Sequence, residues 1–159
     1  PFPAITVSVC NLRPESTGSC HVTAGGAGVQ PEIRLNYLSA EKDRQIAVKS
    51  VKQVRQLMTA KALAPFHPNE ILPGPGVRSD DDLIKGAGDI ATTIFHPVGT
   101  AKMGREDDPM AVVDQQGHVK GLQGLRVADA SIMPDCIRAN TNCTTIMIGE
   151  RGADWIKQG

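Results

Sequence analysis

Apolar residues near the start of the chain recur at every second position. Ile5, Val7 and Val9 alternate with Thr6, Ser8 and Cys10, the period of a strand with one face against a core. Pro14 to Gly18 reads as a turn and Ser19 to Thr23 as a second strand, so the pattern predicts an antiparallel hairpin of the two. After the glycine-rich stretch Ala24 to Gly28, Ile33-Arg34-Leu35 predicts a short third strand. The period then changes. From Ala40 to Ala62, Ile46, Val51, Val54, Leu57 and Met58 fall on one helical face, with Lys49, Lys52 and Arg55 mostly off it. A solvated outer face accounts for those basic residues better than a partner surface does.

Pro65, Pro68, Pro73 and Pro75 interrupt regular structure. Ser79 before Asp80, Asp81 and Asp82 then predicts a helix start, with a capping hydroxyl and acids at the positive end of the dipole. That helix should fade near Thr92. Val112-Val113-Asp114 and His118-Val119-Lys120 flank Gln115-Gln116-Gly117 and predict a hairpin. Leu125 to Ala128 predicts a buried strand, and Thr141 to Lys157 a closing helix.

The chain has 159 residues, 40% of them hydrophobic, enough for one domain with a core. Lys+Arg and Asp+Glu each number 17. That balance supplies neither a basic field for nucleic acid nor a polybasic run for a membrane surface. No apolar run is long enough to span a bilayer, and no signal peptide is present. The chain starts at Pro1 rather than methionine, so an upstream segment, with any targeting sequence, is expected to be missing. Cys10, Cys20, Cys136 and Cys143 form no C-x-x-C pair, and reduced thiols in a cytoplasmic protein are the expectation.

Gly86-Ala87-Gly88-Asp89-Ile90-Ala91 fits a dinucleotide-binding pattern, with Asp108 some way beyond. That fingerprint needs a strand immediately before its glycines, and the acidic run from Asp80 is helical in character, so the match is rejected. His96 stands in Ile94-Phe95-His96-Pro97-Val98-Gly99-Thr100. Pro97 biases it toward extended backbone and Gly99 permits a tight turn, which suits an imidazole held toward a cleft. A lone histidine is more often structural, and His21, His67 and His118 are read as structural or surface residues. Asn140, just before the last helix, suits an N-cap. Helix N-termini also bind anions.

Taken together, Arg34 to Ser39, Phe95 to Gly104, Gly121 to Pro134 and Asn140 to Asp154 resemble the C-terminal region of the glucose-methanol-choline oxidoreductases, and its choline-dehydrogenase-like branch in particular. The resemblance runs nearly end to end. It implies an α+β fold: an antiparallel sheet flanked by helices over residues 1–120, the substrate-binding domain. Residues 121–159 would form a return segment, a strand and a helix that go back to an FAD-binding domain. The strand-turn-helix that holds the ADP half of FAD is not in this sequence, so an N-terminal FAD-binding domain is the expected partner.

The implied reaction is oxidation of a primary, choline-like alcohol to an aldehyde by hydride transfer to flavin N5. His96 matches the family's catalytic histidine, and neutral imidazole suits accepting a hydroxyl proton at neutral pH. Asn140 matches the second member of the catalytic pair and would orient the alcohol oxygen, since an amide cannot act as base. Asp129 and Ala130 are implied to lie near FAD, and Thr141 and Asn142 to offer it backbone N–H groups. No metal is implied. Two other readings are a flavin-dependent hydroxynitrile lyase on the same scaffold and a truncated binding module without activity.

Overall fold

The computed structural model describes residues 2–158, and its elements fall into two units, Pro1–Thr93 and Ile94–Gly159. This division does not coincide with the expected boundary at residues 120 and 121, which concerns the domains of a whole flavoenzyme. The α+β class holds: three α-helices accompany a small antiparallel sheet among the described residues.

In the first unit, strands β1 (Ser19–His21) and β2 (Glu32–Arg34) pair antiparallel, with Cys20 opposite Ile33. Gly18 permits the approach, because a Cβ there would lie 2.1 Å from the Arg34 carbonyl oxygen. The partner of β1 is therefore β2, and not the alternating segment from Ile5 to Val9. That segment forms no strand, and Ile5 is 75% exposed. A strand keeps its conformation by pairing its backbone with a neighbour, and no described strand pairs with this one.

Helix α1 (Glu41–Met58) packs against α2 (Asp80–Ile90). The expected apolar face of α1 is partly right: Ile46, Val51, Val54 and Met58 are half-buried, but Leu57 is exposed and Val48 is the buried apolar residue. The helix ends at Met58, short of Ala62, and Lys61–Phe66 tightens into a 3₁₀ segment containing Pro65. Ala40 offers α1 no side-chain cap, so a loop supplies the partners. Buried Asp43 accepts from Asn11 Nδ2 at 2.9 Å and from the N–H groups of Glu15 and Ser16 at 3.1 and 2.7 Å, while Ser16 Oγ accepts the Ala40 N–H at 3.1 Å. Arg55 pins the proline-rich connection through Glu70 at 2.8 Å and the Val77 and Gly74 carbonyls at 2.8 and 3.0 Å. Ser79 caps α2 as expected, accepting the Asp82 N–H at 3.1 Å.

The second unit is built on Val113, Ile132, Met133 and Ile148, with Val98, Met103, Val119, Val127, Ala130 and Ile137 packed around them. Val113 and Val119 bridge antiparallel across the expected turn. Asp114 holds that turn, accepting the Gln116 and His118 N–H groups at 2.8 and 2.9 Å and facing His118 Nδ1 at 2.9 Å. His118 is thus structural. The buried strand expected from Leu125 to Ala128 is absent: a single bridge joins Arg126 to His118, and Leu125 is 49% exposed. One bridge does not make a ladder, and the turn glycines Gly121 and Gly124, both at positive φ, bring the chain past the core for only a few residues. Helix α3 (Thr141–Gln158) closes the unit, with Ile148 in the core. A Cβ on Gly152 would lie 3.0 Å from Ala128 Cβ, so glycine lets this turn of α3 approach closely without Ala128 having to give way.

Candidate active site

Three pieces of the second unit converge on one cleft of about 460 Å³, lined by Ile94, Phe95, His96, Pro97, Ala130, Asn140, Thr141, Asn142 and Thr145. The core fixes each piece. The His96 loop is held through Val98, and beyond it Ala101 and Met103 donate N–H groups to the Ser131 and Ile132 carbonyls at 3.0 and 2.8 Å. A 3₁₀ turn, Ala130–Ile132, contributes Ala130 and buries Ile132. Helix α3 presents its first turn and buries Ile148.

Both expected catalytic residues, His96 and Asn140, line this cleft, as do Ala130, Thr141 and Asn142. Asp129 does not. Its carboxylate turns back and accepts from the N–H and hydroxyl of Ser131 at 2.8 and 2.5 Å, which locks the turn that presents Ala130. Asn140 is an N-cap: its Oδ1 accepts the Asn142 N–H at 2.9 Å. Its carboxamide nitrogen remains available as a donor. Thr145 Oγ1 donates to the Thr141 carbonyl at 2.9 Å.

Sequence reasoning did not name Ile94, Phe95 or Thr145 as lining residues. Thr145 was accessible to it, because the i, i+4 spacing places it one turn after Thr141 on the same helical face. Phe95 carried no such signal. Its backbone lies in the left-handed region at φ 61°, which no sequence pattern around it announces.

The lining set contains no carboxylate, lysine or arginine. It offers an imidazole, amides, hydroxyls and the first turn of a helix, whose N–H groups lack intrahelical acceptors. Such donors suit the polar edge of a flavin and the oxygen of an alcohol, and no acid lies there to repel a ring that gains negative charge. The rejected glycine pattern, Gly86 to Ala91, lies at the C-terminal end of α2 rather than at a strand-to-helix turn. Among the described residues no cluster of metal-ligating side chains occurs, and no helix is long and apolar enough to cross a membrane.

A family model described as GMC oxidoreductase matches residues 14–149. The alcohol dehydrogenase (acceptor) of Pseudomonas putida is 41% identical over 151 residues, 95% of this chain and 27% of that protein. The oxygen-dependent choline dehydrogenase of Escherichia coli (strain SMS-3-5 / SECEC) is 44% identical over 149 residues, 94% of this chain and 26% of that protein. Among solved structures, pyridoxine 4-oxidase from Mesorbium loti superposes with a TM-score of 0.84 at 30% identity, covering 93% of this chain and 28% of that one. An FAD-dependent oxidoreductase from Chaetomium thermophilum gives 0.83 at 27% identity, covering 92% and 25%. The chain spans about a quarter of the length of these relatives.

Proposed function

The chain belongs to the GMC oxidoreductase family, and from that premise we propose that it works as the C-terminal portion of an FAD-dependent enzyme that oxidises a primary alcohol of the choline class to an aldehyde. The observation that carries the reading is the joint presence of His96 and Asn140 in one cleft free of charged side chains. When bound, FAD supplies at N5 the acceptor for the hydride that leaves the alcohol carbon.

His96 takes the hydroxyl proton as that carbon–hydrogen bond breaks. Asn140 donates its carboxamide N–H to the same oxygen, favouring the alkoxide character that develops there. Thr141 and Asn142, in the first turn of α3, would offer the flavin backbone N–H groups at the positive end of the helix. Ala130 would contribute backbone to the flavin site from the wall of the cleft, and Asp129 would serve that site by holding the turn that carries Ala130. Residues 1–120 contribute the substrate-binding domain, and 121–159 return to the FAD-binding domain. The choice of a choline-like alcohol rests on the names of the relatives.

In the full-length, flavin-loaded protein, a primary alcohol added without oxygen should bleach the flavin absorbance and yield one aldehyde per flavin. Aldehyde release from a cyanohydrin with no bleaching would replace this reading with that of a hydroxynitrile lyase.

A further inference from the structure

Thr141, Thr145 and Ile148 fall on one stripe of α3, at spacings that bring successive turns of a helix to the same face. Thr141 and Ile148 are buried, and Ile148 belongs to the core of the unit. Thr145 stands between them, half-buried, and lines the cleft together with Asn140 and Thr141. Its side chain is held twice. Branching at Cβ restricts χ1, and Oγ1 lies 2.9 Å from the Thr141 carbonyl oxygen. A carbonyl cannot donate, so the hydroxyl gives this bond its only proton. Toward the cleft Thr145 therefore acts as an acceptor. Asn140 is the reverse case, since its Oδ1 is taken by the Asn142 N–H and its NH₂ group remains to donate.

An acceptor in this cleft calls for a donor on whatever fills it. A simple alcohol carries one, its hydroxyl, and under the proposed function His96 accepts that proton. The isoalloxazine of FAD carries one on its pyrimidine edge, the N3–H, set between two carbonyls. We propose that Thr145 is a further flavin-binding residue, whose Oγ1 accepts the N3–H while the first turn of α3 serves the neighbouring C2 carbonyl. The proposal rests on the reading of the cleft as a flavin site and deepens it, adding a side-chain contact one helical turn beyond Thr141.

The contact can be removed from either side, by methylating the flavin nitrogen or by replacing the threonine. FAD and N3-methyl FAD are titrated into the full-length protein freed of flavin, without alcohol, and binding is followed by flavin fluorescence. The wild type should prefer FAD. Thr145→Val keeps the shape of the side chain, and Thr145→Ala favours the helix. Both lack the acceptor, and in both the preference for FAD should fall about three- to tenfold, the scale of one hydrogen bond. Thr145→Ser can make both bonds and should keep the wild-type preference. An unchanged preference in the valine and alanine variants, or an equal fall in the serine variant, would overturn the proposal. Failure of an alcohol to bleach the flavin would overturn the proposed oxidation instead and leave this comparison standing, because binding is measured without substrate.

Discussion

Asn140 Oδ1 accepts the backbone N–H of Asn142 at 2.9 Å. A backbone N–H can only donate, so this bond fixes which end of the carboxamide faces the helix and leaves the NH₂ group for the cleft. Under the proposed function, capping and substrate orientation would fall to opposite ends of one side chain.

The two roles separate by substitution. Serine and aspartate both cap helices about as well as asparagine, but aspartate has no N–H to donate. Asn140→Asp and Asn140→Ser should keep thermal stability within about 1 kcal/mol and slow flavin reduction by alcohol about 10²-fold or more. Anaerobic stopped-flow spectroscopy and thermal unfolding measure the two effects. Wild-type reduction in both variants would leave Asn140 as a cap alone.

Asp43 gives a stability prediction with a definite pH sense. Burial pushes its carboxyl up, but hydrogen bonds from Ser16 and Glu15 and the nearby Lys42 outweigh it, so the group lies below the ordinary value of 3.8. A depressed folded pKa contributes stability that is present above the unfolded value and is lost as pH falls through the folded one. Asp43→Ala should cost about 1–3 kcal/mol at neutral pH, because the Glu15 and Ser16 N–H groups lose their acceptor. The difference from wild type should shrink as pH drops below 3.8. Urea unfolding across that range tests it. A pH-independent difference would show that the carboxylate charge has no part in holding the loop.

A third expectation concerns the chain by itself. Ile5, Val22, Ile33, Ile146 and Met147 are exposed, and apolar surface of this extent favours self-association. No described strand-to-helix turn carries the dinucleotide glycines. The isolated chain should bind an apolar-surface dye, scatter light as oligomers and retain FAD only weakly. A strict monomer that binds stoichiometric flavin would contradict both statements.

What was legible in the sequence is what local chemistry decides. Ser79 with its three aspartates announced α2, and the periodic run after Asn140 announced α3. Gly117 at the centre of the Val113–Val119 turn was equally plain. The pairing of β1 with β2 was not, because the choice between Ile5–Val9 and Glu32–Arg34 as partner depends on long-range contacts. The alternation from Ile5 to Val9 is present, but no described strand answers it. Val48 replaced Leu57 in the buried face of α1 because the position of α2, not the period alone, decides which side is covered. At the cleft, the resemblance pointed to His96 and Asn140, and the Ile132–Ile148 core brings their segments together. The left-handed backbone of Phe95 had no local signal, whereas the turn of the Asp129 carboxylate is a local contact with Ser131, two residues on.

The central claim is that His96 takes the substrate proton in the step that reduces the flavin. It is tested most directly by anaerobic stopped-flow reduction of the full-length, flavin-loaded His96→Gln variant with a primary alcohol. The account predicts a rate about 10²- to 10⁴-fold below wild type with flavin content unchanged. Flavin loss with an unchanged rate per bound flavin would contradict it and leave His96 as a structural residue.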